Sequence, residues 1–150
     1  MIRRHFGLST LAILAGPVEA MASGQPTAVL YKNPQCGCCE AYAAYLRQRG
    51  YEVTVEPSFD LPLIKRRNGV PEALEGCHTT LVGGYVVEGH VPVAAVDRLL
   101  DERPAIRGIA VPGMPAGSPG MFGDKAGPLT VYEIAAGATP DAAPKVFVIE

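Results

Sequence analysis

Three of the four cysteines of this 150-residue chain fall within Asn33-Pro34-Gln35-Cys36-Gly37-Cys38-Cys39-Glu40, and the fourth, Cys77, stands next to His78. Residues 28–31 ahead of the cluster read as a short buried strand, and residues 39–49 behind it as a helix. The thiols therefore sit on a strand-to-helix turn, where a helix N-terminus offers unpaired N–H donors and a partial positive charge. Such a place favours thiolate over thiol, and thiolate is the form that attacks disulfides and binds metals.

The rest of the chain sorts around that turn. Cys39, Tyr42 and Leu46, with Tyr45 alongside, share a helical face that Gly50 closes, and residues 51–56 alternate as a strand with Tyr51, Val53 and Val55 on one side. Asp60 caps a second helix over residues 61–67, with Pro62 in its first turn and a basic run, Lys65-Arg66-Arg67, read as a solvated end. Residues 79–82 and 85–87 form a hairpin through Gly83-Gly84. A third helix starts near Pro92, carries Val93, Val96, Leu99 and Leu100 on its apolar face, and stops before Pro104. The order strand, helix, strand, helix, hairpin, helix predicts an α/β, thioredoxin-like fold, a mixed sheet with flanking helices. In that plan the residues entering the third strand lie beside the cysteine turn, so Cys77, about forty residues downstream, is expected to close on the first three thiols.

From Pro104 to Pro128, 11 of 25 residues are Gly or Pro, which predicts neither packed helix nor strand. This stretch holds Met114 and Met121. Residues 130–134 and 145–149 read as further strands, joined by an Ala/Gly/Pro-rich loop. The domain is placed at residues 28–134, including a Met loop at 111–121, after a polar leader at 23–27 and ahead of a Gly/Pro/Met-rich C-terminal extension whose last part is 135–150.

The N-terminus reads as an export signal over residues 1–22. Arg3, Arg4 and His5 precede a short apolar run, and Ala20-Met21-Ala22 fits a cleavage site; Arg3-Arg4-His5-Phe6 also fits a twin-arginine signal. The apolar run is too short to span a bilayer, so no membrane span is expected once the signal is removed. A net charge of −2 with mixed signs gives nothing that suggests nucleic acid as a partner. Export puts the thiols in an oxidising, periplasmic compartment, where four cysteines serve as structural bridges, as a redox pair or as metal ligands.

Each use asks for something different. Cys36 and Cys39 in Cys-x-x-Cys spacing suit dithiol–disulfide exchange, for which Cys38 and Cys77 are superfluous. Neighbouring Cys38 and Cys39 do not readily bridge each other, so plain structural pairing needs Cys77. A crowded triplet plus one is poor tetrahedral zinc geometry and suits thiolates that bridge several Cu(I) ions. Met114 and Met121 have little core to fill in their Gly/Pro-rich segment, and their thioethers are soft donors. His78 beside Cys77 is a candidate ligand, whereas His90 is read as bonding to local backbone.

The motifs at residues 31–39 (Tyr-Lys-Asn-Pro-Gln-Cys-Gly-Cys-Cys), 69–71 (Gly-Val-Pro), 77–80 (Cys-His-Thr-Thr), 83–92 (Gly-Gly-Tyr-Val-Val-Glu-Gly-His-Val-Pro) and 111–121 (Val-Pro-Gly-Met-Pro-Ala-Gly-Ser-Pro-Gly-Met) resemble the exported copper-resistance proteins of the CopG type. The resemblance covers about residues 28–134. It implies a thioredoxin-like fold, a periplasmic location and copper, one or several Cu(I) ions, bound by Cys36, Cys38, Cys39 and Cys77 with Met114 and Met121 in the Met loop. Other periplasmic copper-handling proteins are the implied partners. Tyr42 stands where the family often has Trp, and Phe122 where it often has Glu; neither change removes a ligand.

Overall fold

The computed structural model describes residues 24–137 and 143–150; the export signal expected over 1–22 lies outside the described residues. A seven-stranded mixed sheet is built from β1 (Thr27–Lys32), β2 (Glu52–Pro57), β3 (His78–Val82), β4 (Tyr85–Glu88), β5 (Gly108–Ala110), β6 (Thr130–Ile134) and β7 (Val146–Ile149), in the order β2-β1-β3-β4-β5-β6-β7. Three helices accompany it: α1 (Gly37–Gln48), α2 (Leu61–Arg67) and α3 (Val93–Glu102). The β1–β2 and β4–β5 pairs are parallel and the others antiparallel, so the βαβ unit and the following hairpin and helix take the thioredoxin-like arrangement.

Local chemistry explains most boundaries. Gly50 takes φ +92° just past α1, and its N–H reaches the Arg47 carbonyl at 3.1 Å. Gly83 and Gly84 both have positive φ, 55° and 87°, as the two central residues of a tight hairpin turn require. Asp60 stands at the N-cap of α2 but makes no side-chain cap bond.

The sheet buries both faces. On one, Tyr42, Ala43 and Leu46 of α1 and Val93, Ala95, Val96 and Leu99 of α3 pack over Leu30, Val87, Ile109 and Val131. On the other, Val70 and Leu74 cover Val86, Ala110 and Ile134. Val86 and Val87, adjacent in β4, serve opposite cores, which is the period-two alternation of a strand buried on both sides.

Two expectations are corrected here. Residues 104–128 were expected to hold no strand, yet Gly108–Ala110 is β5, fully buried and parallel to β4. Three residues are too few to show a period. Gly108 looks like a breaker in sequence, but it is needed: a Cβ there would run into the Val86 backbone of β4. Lys65, expected on a solvated helix end, is instead buried and ion-paired with the equally buried Glu88 of β4. The paired partner lies 23 residues downstream, out of reach of a local reading.

Candidate metal centre

Strand β1 delivers the chain to the cysteine turn at its C-terminal end, and antiparallel β3 begins opposite it, with Lys32 facing His78 in register. That pairing carries Cys77, the residue before β3, onto the turn. Cys38 Sγ and Cys39 Sγ each stand 3.7 Å from Cys77 Sγ, and Cys36 Sγ stands 3.4 Å from Cys38 Sγ. All four sulfurs lie within 4.8 Å of one another. Two sulfurs on one tetrahedral ion at ~2.3 Å would be ~3.8 Å apart, close to the Cys38–Cys77 and Cys39–Cys77 separations. Cys36 and Cys39 are joined as a disulfide across the first turn of α1, and Cys38 and Cys77 are free thiols.

Both thiol-bearing segments are held from beneath by a buried lysine. Lys32 Nζ donates to the carbonyls of Pro34 (3.2 Å) and Cys36 (3.1 Å) and lies 3.2 Å from Glu40. Glu40, in the first turn of α1, thus has a buried cation as partner. Lys65 Nζ donates to the Gly76 carbonyl at 3.1 Å, while Glu88 accepts from the Gly76 N–H at 2.7 Å and from Thr79 Oγ1 at 2.7 Å. The ion pair thus grips both backbone groups of the residue before Cys77. Burial raises the Glu88 carboxyl, and Lys65, Thr79 and Gly76 oppose that rise.

Cys77 does not match the thiolate-favouring picture of the turn. Its thiol is pushed up to about 12, by burial first and then by the charge and hydrogen bond of Cys38, against a lowering from Lys65. Desolvation outweighs the positive charge nearby, so this sulfur keeps its proton well above neutrality.

His78 and His90 flank Cys77. His78 Nδ1 is 3.3 Å and His90 Nε2 3.0 Å from its sulfur. Burial, reinforced for His78 by His90 and Lys65, holds both imidazoles below their ordinary range and hence neutral. His90 does bond to backbone, Nδ1 to the Pro119 carbonyl at 2.7 Å, but its second nitrogen faces the thiol cluster, which the sequence reading missed. Tyr42 packs against both rings, at centroid distances of 4.6 and 5.4 Å, and donates to the Val91 carbonyl at 2.8 Å.

The Met loop is tied down on both sides of the centre. Gly113, next to Met114, bridges to Gly76, and Gly120, next to Met121, lies so close to α1 that a Cβ there would come within 2.7 Å of the Tyr42 nitrogen. Met114 is 58% exposed, a high value for an apolar side chain on a fixed backbone, whereas Met121 is half-buried. Loop and cysteine turn are thus neighbours.

The site and scaffold define a class, the thioredoxin-like α/β domains that carry a thiol cluster at the start of the first helix. Residues 74–121, spanning Cys77, His78, His90, Met114 and Met121, match the model of a family described as protein of unknown function, DUF411. A comparison with curated proteins finds no match. Among solved structures, the one titled copper resistance protein CopG, form 2, is 35% identical with a TM-score of 0.75, covering 83% of this chain and 98% of its own. Form 1 is also 35% identical, with a TM-score of 0.72, covering 83% of this chain and 96% of its own. The chain belongs to the CopG copper-resistance family.

Proposed function

We propose that this is an exported, periplasmic copper-binding protein for copper tolerance. Once the Cys36–Cys39 disulfide is reduced, Cys36, Cys38, Cys39 and Cys77 bind and bridge Cu(I) as thiolates. The observation that carries this reading is the convergence of four sulfurs from two segments, with Cys77 3.7 Å from both Cys38 and Cys39. Met114 guides copper in from solvent, Met121 closes the loop side, and His78 supports Cys77. Among the described residues no helix is long and apolar enough to cross a membrane. Copper tolerance here means sequestration, handover to other periplasmic copper-handling proteins, or cycling between Cu(I) and Cu(II).

The test is a copper count. The reduced protein, loaded with Cu(I) without oxygen and desalted against a competing chelator, should retain more than one copper per chain. Retention of none would sink the reading. The same competition carries a pH signature. Metal binding displaces the Cys77 proton, because that thiol remains protonated well above neutrality. Apparent affinity should therefore rise with pH, by about tenfold per unit for this proton alone. A flat profile between pH 6 and 8 would show that Cys77 does not ligate.

The disulfide favours a second reading, thiol–disulfide exchange by the Cys36/Cys39 pair. Reductase activity that survives in Cys38→Ser and Cys77→Ser variants, with no copper retained by the parent, would select it.

A further inference from the structure

The Gly/Pro-rich stretch after β5 builds more than the Met loop. Its residues 115–119 and 125–129 close, with Tyr45 and Arg49 from α1, Pro92 and Glu150, around a pocket of about 550 Å³. A single ion or a few waters would leave that space mostly empty. Small organic ligands occupy pockets of roughly 300–1,000 Å³. We propose that this pocket binds a small organic carboxylate, an apolar body that carries one anionic group.

The walls suit the apolar body. Pro115, Pro119 and Pro128 present ring carbons and have no N–H to satisfy, and Tyr45 and Leu129 add apolar surface. The shape is held without a ligand. Gly117 lies so close to the following segment that a Cβ there would run into the Lys125 backbone. Ser118, which is buried, donates from Oγ to the Pro115 carbonyl at 2.7 Å and closes that turn. Leu129 and Glu150 exchange both backbone hydrogen bonds, at 2.7 and 2.9 Å. A wall that is already ordered spares the ligand the cost of ordering it.

The polar groups select the charge. Arg49 and Lys125 are exposed cations, and neither has an ion-pair partner among the described residues. The Arg49 guanidinium lies 5.0 Å from the centre of the Tyr45 ring, and the face used on the ring leaves its N–H edge for a carboxylate. Lys125 Nζ gives one proton to the Glu150 carbonyl at 2.9 Å and keeps two. Tyr45 Oη accepts from the Val93 N–H at 2.9 Å, and its own proton has no acceptor among the described residues. Glu150 is the one acidic side chain in the lining, so the two cations leave an excess of one positive charge. That balance favours a monoanion over a cation or a polyphosphate.

None of the cysteines, histidines or methionines lines this pocket. It borders the metal centre at Pro119, whose carbonyl accepts from His90 Nδ1. Ligand binding can therefore be measured on the metal-free protein and stands apart from the copper reading. A free acid and the C-terminal carboxylate of a peptide share the chemistry that the pocket recognises.

The test titrates benzoate into the full, metal-free chain and follows backbone amide resonances. The amides of Tyr45, Ala116, Gly117 and Gly127 should move saturably. Benzamide, the same shape without the charge, should bind at least about tenfold more weakly, the loss of two exposed ion pairs. Arg49→Gln and Lys125→Gln should each weaken benzoate about threefold to fivefold. Both side chains are exposed, so the variants keep the fold. An N-acetylated tripeptide ending in phenylalanine with a free carboxylate separates the sources. Binding at least about tenfold tighter than benzoate assigns the pocket to a polypeptide C-terminus, weaker binding assigns it to a free acid, and both results support the proposal. Equal binding of benzamide and benzoate, parent-like binding by both variants, or shifts that do not saturate would overturn it.

Discussion

Cys77→Ser should cost the reduced protein at least about a hundredfold in Cu(I) affinity and bring its copper count below that of any other single cysteine variant. Loss even of a group that merely supports a ligand costs 10–100-fold, and a thiolate lost outright costs more. The geometry singles out this sulfur. Cys36, Cys38 and Cys39 share one turn, and each has a neighbour there, but Cys77 alone comes from the second segment and touches both Cys38 and Cys39. A serine oxygen is hard and does not replace a bridging thiolate. Chelator competition on the four single variants checks the ranking. Parent-like retention by Cys77→Ser would place the copper elsewhere.

That ranking was partly legible in the sequence. Once strand, helix and hairpin were in order, antiparallel pairing of β1 with β3 had to bring the residue before β3 to the end of β1, and Cys77 follows. The match is topological and needs no side-chain detail. His90 was within reach of the same kind of reasoning. The hairpin register that pairs Thr79 with Glu88, carried two residues outward, sets position 90 opposite position 77, so its approach to Cys77 follows from the Gly83-Gly84 hairpin, although a local reading gives it only a backbone bond. Pro119, which fixes the ring, lies in a Gly/Pro-rich stretch that offers no pattern at all.

Strand β5 was hidden for a related reason. Its three residues pair with β4 because α3 returns the chain there, and the glycine that marks a break in sequence is the residue that close pairing demands. The sequence did not foresee the state of the fourth thiol. The helix N-terminal argument concerns the three cysteines of the turn, and for Cys77, on the second segment, burial raises the thiol. Exposure is a property of the assembled fold, so the sequence carried the position of this thiol and not its protonation.

Breaking the buried Lys65–Glu88 pair on one side only should be among the most destabilising single changes in the metal-free protein. Lys65→Met leaves Glu88 buried beside Thr79 and Gly76 without its cation, and Glu88→Leu strands the ammonium in turn. Breaking one partner of a buried pair typically costs about 3–5 kcal/mol, whereas replacing both with apolar residues of similar volume is often close to neutral. Urea unfolding of the reduced, metal-free protein should therefore show each single variant destabilised by about 3 kcal/mol or more, and the double variant recovering most of the loss. Single variants within about 1 kcal/mol of the parent would mean that the pair carries little of the fold. The double variant also separates stability from function. It restores the packed core but removes both grips on Gly76, the residue that presents Cys77. If preorganisation of that thiol matters, the double variant should be nearly as stable as the parent yet bind Cu(I) about tenfold more weakly, because the cost of ordering the Cys77 segment then falls on the binding step.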